Sequence, residues 1–172
     1  MMFSRDVRLD HAVIRGVGLA GGNLDLIVKI QNPNNFTLQA DKLEVGIDVE
    51  NRSTGRLLAV HDDWLTAAER AALNVLAPEA KGDAAVRFWT LKEAFTKATG
   101  TGLYQPFGDV GFKLDPPRFA RLPRACAGCW QLAQMCPNPS HVLAVAVRCA
   151  RRRPVRIEVE LLPADTLSGL VK

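Results

Sequence analysis

Three carboxylates and a lysine are spaced so that they could bind a cation and a phosphate. Asp48 and Glu50 alternate with apolar residues over residues 45–50, so on a strand both carboxylates would leave the same face. Glu93 stands four residues before Lys97 in a segment of helical periodicity, which places both on one helix face. Mg²⁺ prefers carboxylate oxygens, and a lysine can contact a phosphate. This combination predicts chemistry on a phosphorylated substrate.

Each half of the pattern also has an ordinary structural explanation. Glu93 and Lys97 alone would form a helix-surface salt bridge worth about 0.2–0.5 kcal/mol, and Asp48 with Glu50 would be the polar face of an edge strand. A site is favoured because the strand and the helix each carry carboxylates beside an apolar stripe that could dock them together. Three carboxylates held together raise the pKa of at least one of them unless a cation neutralises the cluster. We therefore expect Mg²⁺ there, with Lys97 offsetting part of the negative charge.

Periodicity predicts the elements that must position these residues. The N-terminal third is strand-like and interrupted by Gly-Gly and Asn-Pro-Asn-Asn turns, which predicts antiparallel hairpins from residues 6–19, 23–30, 36–40 and 42–50. A capping box at Thr66 and Glu69 opens a short helix, and Asp83 could cap a longer one that ends near Gly100. Further strands are predicted at residues 109–114, 129–134, 142–148 and 155–161. The predicted fold class is α+β, an antiparallel sheet packed by a long helix whose apolar stripe is Phe88, Leu91, Phe95 and Ala98.

The composition favours a globular protein. The chain has 172 residues, of which 48% are hydrophobic, enough to build one domain or two small ones. Its apolar runs are shorter than the roughly 18 to 20 residues of a membrane span, and its N-terminus has no signal-peptide pattern. We therefore expect no membrane association and a cytoplasmic location.

The positive charge is concentrated in the C-terminal third. The net charge is +4, and residues 116–157 contain many arginines but no acidic residue. Such a stretch suits a nucleotide phosphate, an acidic protein or RNA, or it is a solvated surface. Nucleic-acid binding is the least favoured, because interleaved aromatic residues and a known motif are missing. The single Cys-x-x-Cys, Cys126 and Cys129, supplies only two of the four ligands of a zinc site.

Residues 45–50 and 89–103 closely resemble the two signature motifs of surfactin-type 4′-phosphopantetheinyl transferases. The resemblance extends over about residues 45–162 and implies transfer of the phosphopantetheine arm of coenzyme A to a serine of an acyl or peptidyl carrier protein. It implies that coenzyme A is the co-substrate and that Lys97 and Lys92 contact it. It implies Glu93 and Lys97 as catalytic residues, and Asp48, Glu50 and Glu93 as the magnesium ligands. Glu69 is a further candidate for abstracting the serine proton, although a capping-box glutamate is the favoured interpretation.

The N-terminal segment departs from that family. Surfactin-type enzymes have two similar halves with coenzyme A between them, and the basic nucleotide contacts and Ser-His pair of the first half are not found upstream of residue 45. Residues 23–40, with their Asn-Pro-Asn turn, instead resemble late-embryogenesis-abundant type 2 (water-stress) domains. We therefore expect a β-rich segment over residues 1–43 and a transferase-like domain over residues 44–172.

Two functions follow as hypotheses. The first is a phosphopantetheinyl transferase whose cleft could be completed by self-association, because single-domain holo-acyl-carrier-protein synthases resemble one half and place coenzyme A between subunits. A homo-oligomer is therefore one expectation. The second is a non-enzymatic stress or interaction module of the late-embryogenesis-abundant kind that keeps a vestigial transferase half.

Overall fold

The computed structural model describes the backbone of residues 8–17, 24–31, 44–101, 106–149 and 157–162, and side chains within residues 44–101 and 106–148. The strands are β1 (Arg8–Val17), β2 (Leu24–Gln31), β3 (Glu44–Asn51), β4 (Gly111–Lys113), β5 (Arg118–Arg121), β6 (Cys129–Asn138), β7 (His141–Cys149) and β8 (Ile157–Leu162). The α-helices are α1 (Gly55–Val60), α2 (Ala67–Asn74) and α3 (Pro78–Thr99). None of the helices in these ranges is long and apolar enough to cross a membrane.

The chain divides into two compact units, Met1–Lys42 together with Arg153–Lys172, and Leu43–Arg152. In the first unit β1 pairs antiparallel with β2 and parallel with β8, which confirms the first predicted hairpin. The predicted strand at residues 36–40 lies outside the described residues. The predicted domain of residues 44–172 differs from this division, because β8 pairs with β1 and residues 153–172 group with the first unit.

The second unit is a three-stranded antiparallel sheet in the order β3-β7-β6, crossed by α3. The predicted α+β class, with a long helix on an antiparallel sheet, is confirmed. The predicted apolar stripe of the helix is also confirmed, since its four side chains are almost fully buried: Phe88, Leu91, Phe95 and Ala98.

Strand β3 meets the helix through its small and polar face, which differs from the expected docking through apolar stripes. Gly46 and Asp48 are the buried residues of the strand, and they pair with Ala146 and Ala144 of β7. A Cβ atom on Gly46 would lie 1.8 Å from the carbonyl oxygen of Ala94. The backbones of α3 and β3 are therefore in direct contact, and only glycine allows it.

Helix α3 begins earlier than predicted. Its first residue is Pro78, where the missing N–H costs no hydrogen bond, while Asp83 lies inside the helix and pairs with Arg52. Its end is as predicted: Gly100 is left-handed, with φ of 69°, and its N–H donates to the carbonyls of the last turn.

Helix α2 and the β4–β5 hairpin close the other side of α3. The capping box predicted at Thr66 and Glu69 is present, with the Glu69 N–H donating to the Thr66 hydroxyl and the Thr66 N–H to the Glu69 carboxylate. Four aromatic rings, from α3, β4, β5 and β6, pack edge to face or tilted at centroid distances of 5.0 to 6.5 Å: Phe95, Phe112, Phe119 and Trp130.

Candidate active site between β3 and α3

The contact between β3 and α3 brings two of the predicted site residues together. The Lys97 ammonium donates a hydrogen bond of 2.6 Å to Oδ1 of Asp48. The Asp48 side chain is 10% exposed and that of Lys97 is 49% exposed, so the pair lies at the rim of the interior with the lysine reaching solvent. Gly46, one alternation along β3 from Asp48, keeps the helix close enough for this contact. Strand and helix together therefore form a charged site open on one side.

Glu93 lies on α3 within the electrostatic reach of this pair. Burial raises the pKa of Glu93, and the negative charges of Asp48 and Glu50 raise it further against the opposing effect of Lys97. The pKa of Asp48 is also raised, mainly by burial, and the hydrogen bond from Lys97 only partly offsets that effect. The three predicted carboxylates thus share one electrostatic environment that a single lysine does not neutralise.

The structure does not assemble these carboxylates into a finished metal cage. Glu50 is half-buried and its Oε1 accepts the backbone N–H of Asn51 at 2.9 Å. No group of three His, Cys, Asp or Glu side chains within residues 44–101 and 106–148 is arranged to hold a metal ion. The buried Oδ2 of Asp48, however, has no hydrogen-bond partner in the described part of the chain. An unpaired buried carboxylate oxygen beside two further carboxylates has the donor chemistry that a hard divalent cation requires.

Lys92 was predicted to contact coenzyme A, and its position contradicts this. Its side chain is fully buried, and its ammonium pairs with Glu69 at 2.9 Å and donates to the carbonyls of Phe107 and Val110 at 2.7 and 2.5 Å. Five residues separate Lys92 from Lys97, which turns the two side chains about 140° apart around the helix. Burial lowers the pKa of Lys92 against the attraction of Glu69. Lys92 therefore anchors the helix from the inside and has no exposed surface for a ligand.

Glu69 belongs to the same buried pair. One carboxylate oxygen accepts the Thr66 N–H at 2.8 Å and the other accepts the Phe112 N–H at 2.8 Å. The side chain is 1% exposed, which leaves it no access to a serine of another protein. The favoured interpretation of Glu69 as a capping-box residue is confirmed, and the alternative of a proton acceptor is not supported by its position.

Sequence reasoning missed two features of this site. The close contact at Gly46 had a signal, because a glycine inside a strand often marks a close backbone approach. The Glu69–Lys92 pair had none, since no spacing rule connects a capping residue to a lysine on a later helix. Trp89, a motif position without an expected role, contacts Trp64 and Phe107 edge to face at centroid distances of 5.3 and 5.2 Å.

Solved structures share the fold over about three fifths of this chain. A holo-(acyl-carrier-protein) synthase from Bacillus anthracis, solved in complex with coenzyme A, has a TM-score of 0.52 at 21% identity over 61% of this chain and 94% of its own. The holo-[acyl-carrier-protein] synthase of Neisseria meningitidis has the same TM-score and identity over 62% of this chain and 97% of its own. At this identity the likeness concerns the fold alone.

The sequence comparisons define the family. A family model described as the 4′-phosphopantetheinyl transferase superfamily matches residues 44–146, and the chain belongs to that superfamily. The 4′-phosphopantetheinyl transferase HetI of a Nostoc species is 33% identical over 125 residues, which are 71% of this chain and 52% of HetI. The chain thus spans about half the length of the curated relative it matches. The matched model does not include residues 1–43, and their resemblance to late-embryogenesis-abundant domains gains no support.

Proposed function

We propose that this chain is a 4′-phosphopantetheinyl transferase that uses coenzyme A to modify a serine of an acyl or peptidyl carrier protein. The observation that carries the proposal is the contact between Asp48 and Lys97, 49 residues apart, beside Glu93 and inside the region that matches the family model. We assign the activity to the second unit, Leu43–Arg152, which contains every proposed site residue.

The cation in this proposal is Mg²⁺, with Asp48, Glu50 and Glu93 as its ligands. The unpaired Oδ2 of Asp48 and the raised pKa values of Asp48 and Glu93 support this choice. A cation would bind the unpaired oxygen and would reduce the repulsion between the carboxylates. Mg²⁺ is usually bound by one or two carboxylates together with substrate phosphates and waters, so a finished protein cage is not required. When bound, it would supply charge neutralisation to the pyrophosphate and its leaving group.

Glu93 and Lys97 are the proposed catalytic residues. The carrier serine oxygen would attack the phosphorus that bears the pantetheine arm, the bond to the other phosphate would break, and adenosine 3′,5′-bisphosphate would leave. The serine proton must pass to a base, and the proposed acceptor is Glu93, the α3 carboxylate beside the Asp48–Lys97 pair. Lys97, half exposed at the end of α3, can turn its ammonium from Asp48 toward a phosphate of coenzyme A.

The alternative of a non-enzymatic stress module gains no support from the fold or the comparisons. Self-association stays a prediction, as does the cytoplasmic location. The mass of the protein in solution, with and without coenzyme A, tests self-association directly.

A carrier-modification assay tests the proposed function. The protein is incubated with coenzyme A, Mg²⁺ and an apo carrier protein, and the carrier is weighed by mass spectrometry. We expect the carrier to gain the phosphopantetheine mass, and we expect Glu93→Gln to abolish the gain. Glu79→Gln is the matched control, because Glu79 is exposed in the first turn of the same helix. A carrier of unchanged mass after incubation with the wild-type protein would refute the proposal.

A further inference from the structure

Two cysteines occupy directly opposite positions at one end of the sheet of the second unit. Strands β6 and β7 are antiparallel neighbours, and their register pairs Cys129 with Cys149. Directly opposite residues of such strands have Cα atoms about 4.5 or 5.5 Å apart, depending on whether the pair is hydrogen-bonded. The Cα atoms of a disulfide are usually about 4.4–6.8 Å apart, which includes both cases. The backbone therefore already holds these two positions at a spacing that a disulfide can bridge.

The register at this end of the sheet is fixed by Arg148, the residue before Cys149. Arg148 stands opposite Trp130, and its guanidinium lies over the indole ring, 5.7 Å from the ring centroid. It also donates a hydrogen bond of 2.9 Å to the carbonyl of Ala127 and pairs with Glu44 of β3 at 3.0 Å. These contacts tie β7 to both of its neighbours and oppose a slip in register that would separate the two cysteine positions.

The two cysteine positions lie on the face of the sheet away from α3. Trp130 and Leu132 pack against the hydrophobic core, and Gln134 donates a hydrogen bond of 2.8 Å to a backbone carbonyl of α3. Successive side chains of a strand alternate between its faces, so Cys129 leaves the sheet on the opposite side. Directly opposite positions of an antiparallel pair share a face, which puts position 149 on that same side.

The other two cysteines do not suit a bond to Cys129. Cys126, the first member of the Cys-x-x-Cys, is 8% exposed and belongs to the hydrophobic core that includes α3. Cys136 lies seven residues further along β6, about 23 Å in an extended strand, and its sulfur accepts a hydrogen bond of 2.8 Å from Arg52. Cys129 itself is a half-buried free thiol, which a small oxidant can reach. Cys149 is therefore the partner that the fold offers to Cys129.

We propose that Cys129 and Cys149 are a redox modification site, at which a reversible disulfide locks β6 to β7. The pair lies on the opposite face of the sheet from Glu93 and Lys97, so this inference does not depend on the proposed function.

The oxidant in this proposal is a small disulfide such as oxidised glutathione. The thiolate of one cysteine attacks a sulfur of the oxidant and releases one glutathione thiolate. The second cysteine then attacks the protein sulfur of the mixed disulfide and releases the other glutathione thiolate. The two protein thiols lose two electrons, the oxidant disulfide is reduced to two thiols, and the protons of the protein thiols pass to the released glutathione. Excess reduced glutathione reverses both steps.

The intact mass of the folded full-length protein tests whether the disulfide forms. Reduced protein is incubated with oxidised glutathione, and the remaining thiols are then labelled with N-ethylmaleimide under denaturing conditions. The reduced wild type should gain four labels, one for each cysteine of the sequence. An internal disulfide removes two labels without adding glutathione, whereas a mixed disulfide replaces one label by one glutathione. We expect an internal disulfide in the oxidised wild type and its loss on treatment with excess reduced glutathione.

Substitutions identify the two partners. Cys126→Ala combined with Cys136→Ser leaves only the proposed pair, and we expect this double variant to form the internal disulfide as the wild type does. Cys129→Ser and Cys149→Ser each remove one partner, and we expect neither to form an internal disulfide. Failure of the double variant to form it, or its persistence in either single variant, would overturn the proposal. A disulfide that joins two molecules, seen as a doubled mass without reductant, would overturn it as well.

Thermal unfolding tests whether the bond locks the two strands. The disulfide closes a loop of about 20 residues, which restricts the unfolded chain more than the folded one. We expect the oxidised double variant to unfold at a midpoint about 5 °C or more above that of its reduced form. Cys129→Ser is the control, and its midpoint should be the same with and without the oxidant. Equal midpoints for the oxidised and reduced double variant would refute the locking of β6 to β7.

Discussion

Replacement of Gly46 by alanine should disrupt both the fold and the site. The new Cβ atom would lie 1.8 Å from the Ala94 carbonyl oxygen and 2.4 Å from the Ala98 nitrogen, whereas ordinary contact begins at 3.4 Å. Both neighbours are backbone atoms, so α3 must move about 1.6 Å away from β3 to relieve the first contact. Over-packing of this kind costs about 1–3 kcal/mol, and two backbone contacts place Gly46→Ala at the upper end.

The same displacement would separate the charged pair. Asp48 and Lys97 are held on the two elements that must part, so their 2.6 Å hydrogen bond would lengthen to about 4 Å, beyond hydrogen-bonding distance. Glu93 would move with the helix and lose its proximity to Asp48. We therefore expect carrier modification to fall by more than the unfolded fraction explains, even at temperatures where the variant is folded.

Thermal unfolding and the modification assay check this reasoning together. A cost of about 3 kcal/mol lowers the midpoint by roughly 6–12 °C in a chain of this size. Gly108→Ala is the matched control, because a Cβ there meets nothing within 4 Å among the described residues. We expect it to leave the midpoint unchanged or slightly raised. A Gly46→Ala variant with the wild-type midpoint and activity would refute the inferred contact between β3 and α3.

Three further predictions concern the charged residues. Lys92→Met should lower the free energy of unfolding in urea by about 3–5 kcal/mol, because it leaves Glu69 buried without its partner, and wild-type stability would contradict the buried pair. Lys97→Met should abolish carrier modification and cost less stability than Lys92→Met, because the Lys97 side chain is half exposed whereas that of Lys92 is fully buried; an active variant would exclude Lys97 from the chemistry. The pKa values of Asp48 and Glu93 are raised in the folded protein, so the folded state binds their protons more tightly than the unfolded state does. Without divalent cations, this contribution to stability should be fully present below the ordinary pKa values of the two carboxyl groups. It should be lost as the pH rises through their raised pKa values. The free energy of unfolding, measured across that pH range, should depend less on pH in Glu93→Gln than in the wild type. An unchanged pH dependence would argue against a raised pKa of Glu93.

Local pattern predicted the parts of this fold that depend on local chemistry. The capping box at Thr66 and the left-handed Gly100 at the end of α3 were identified correctly, because a cap and a helix end are decided by a few neighbouring residues. The start of α3 was misplaced because Asp83 is a good cap in isolation, whereas Pro78 allows the helix to begin a turn earlier. The parallel pairing of β8 with β1 could not be predicted, since the partner of a strand is chosen by distant residues.

In the candidate site, too, the positions that depend on one element were predicted and those that depend on distant residues were not. The alternation of β3 and the four-residue spacing on α3 correctly placed Asp48 and Lys97 toward one another, because both rest on the geometry of single elements. The position of Lys92 depends on Glu69 and on two carbonyls of a later loop, and no helical period contains that information.

Lys92 and Gly46 position the helix that carries Glu93 in two different ways. Lys92 is fixed at three points inside the unit, which sets the rotation of α3 about its axis, and Gly46 sets the distance between the helix and β3. With rotation and distance both fixed, the face of α3 that carries Glu93 and Lys97 is held toward Asp48. Side chains on a flexible loop could tolerate changes behind them, but Glu93 and Lys97 are held on one rigid helix. Changes at Lys92 and Gly46 should thus reduce activity through the position of Glu93, without either residue touching the substrate.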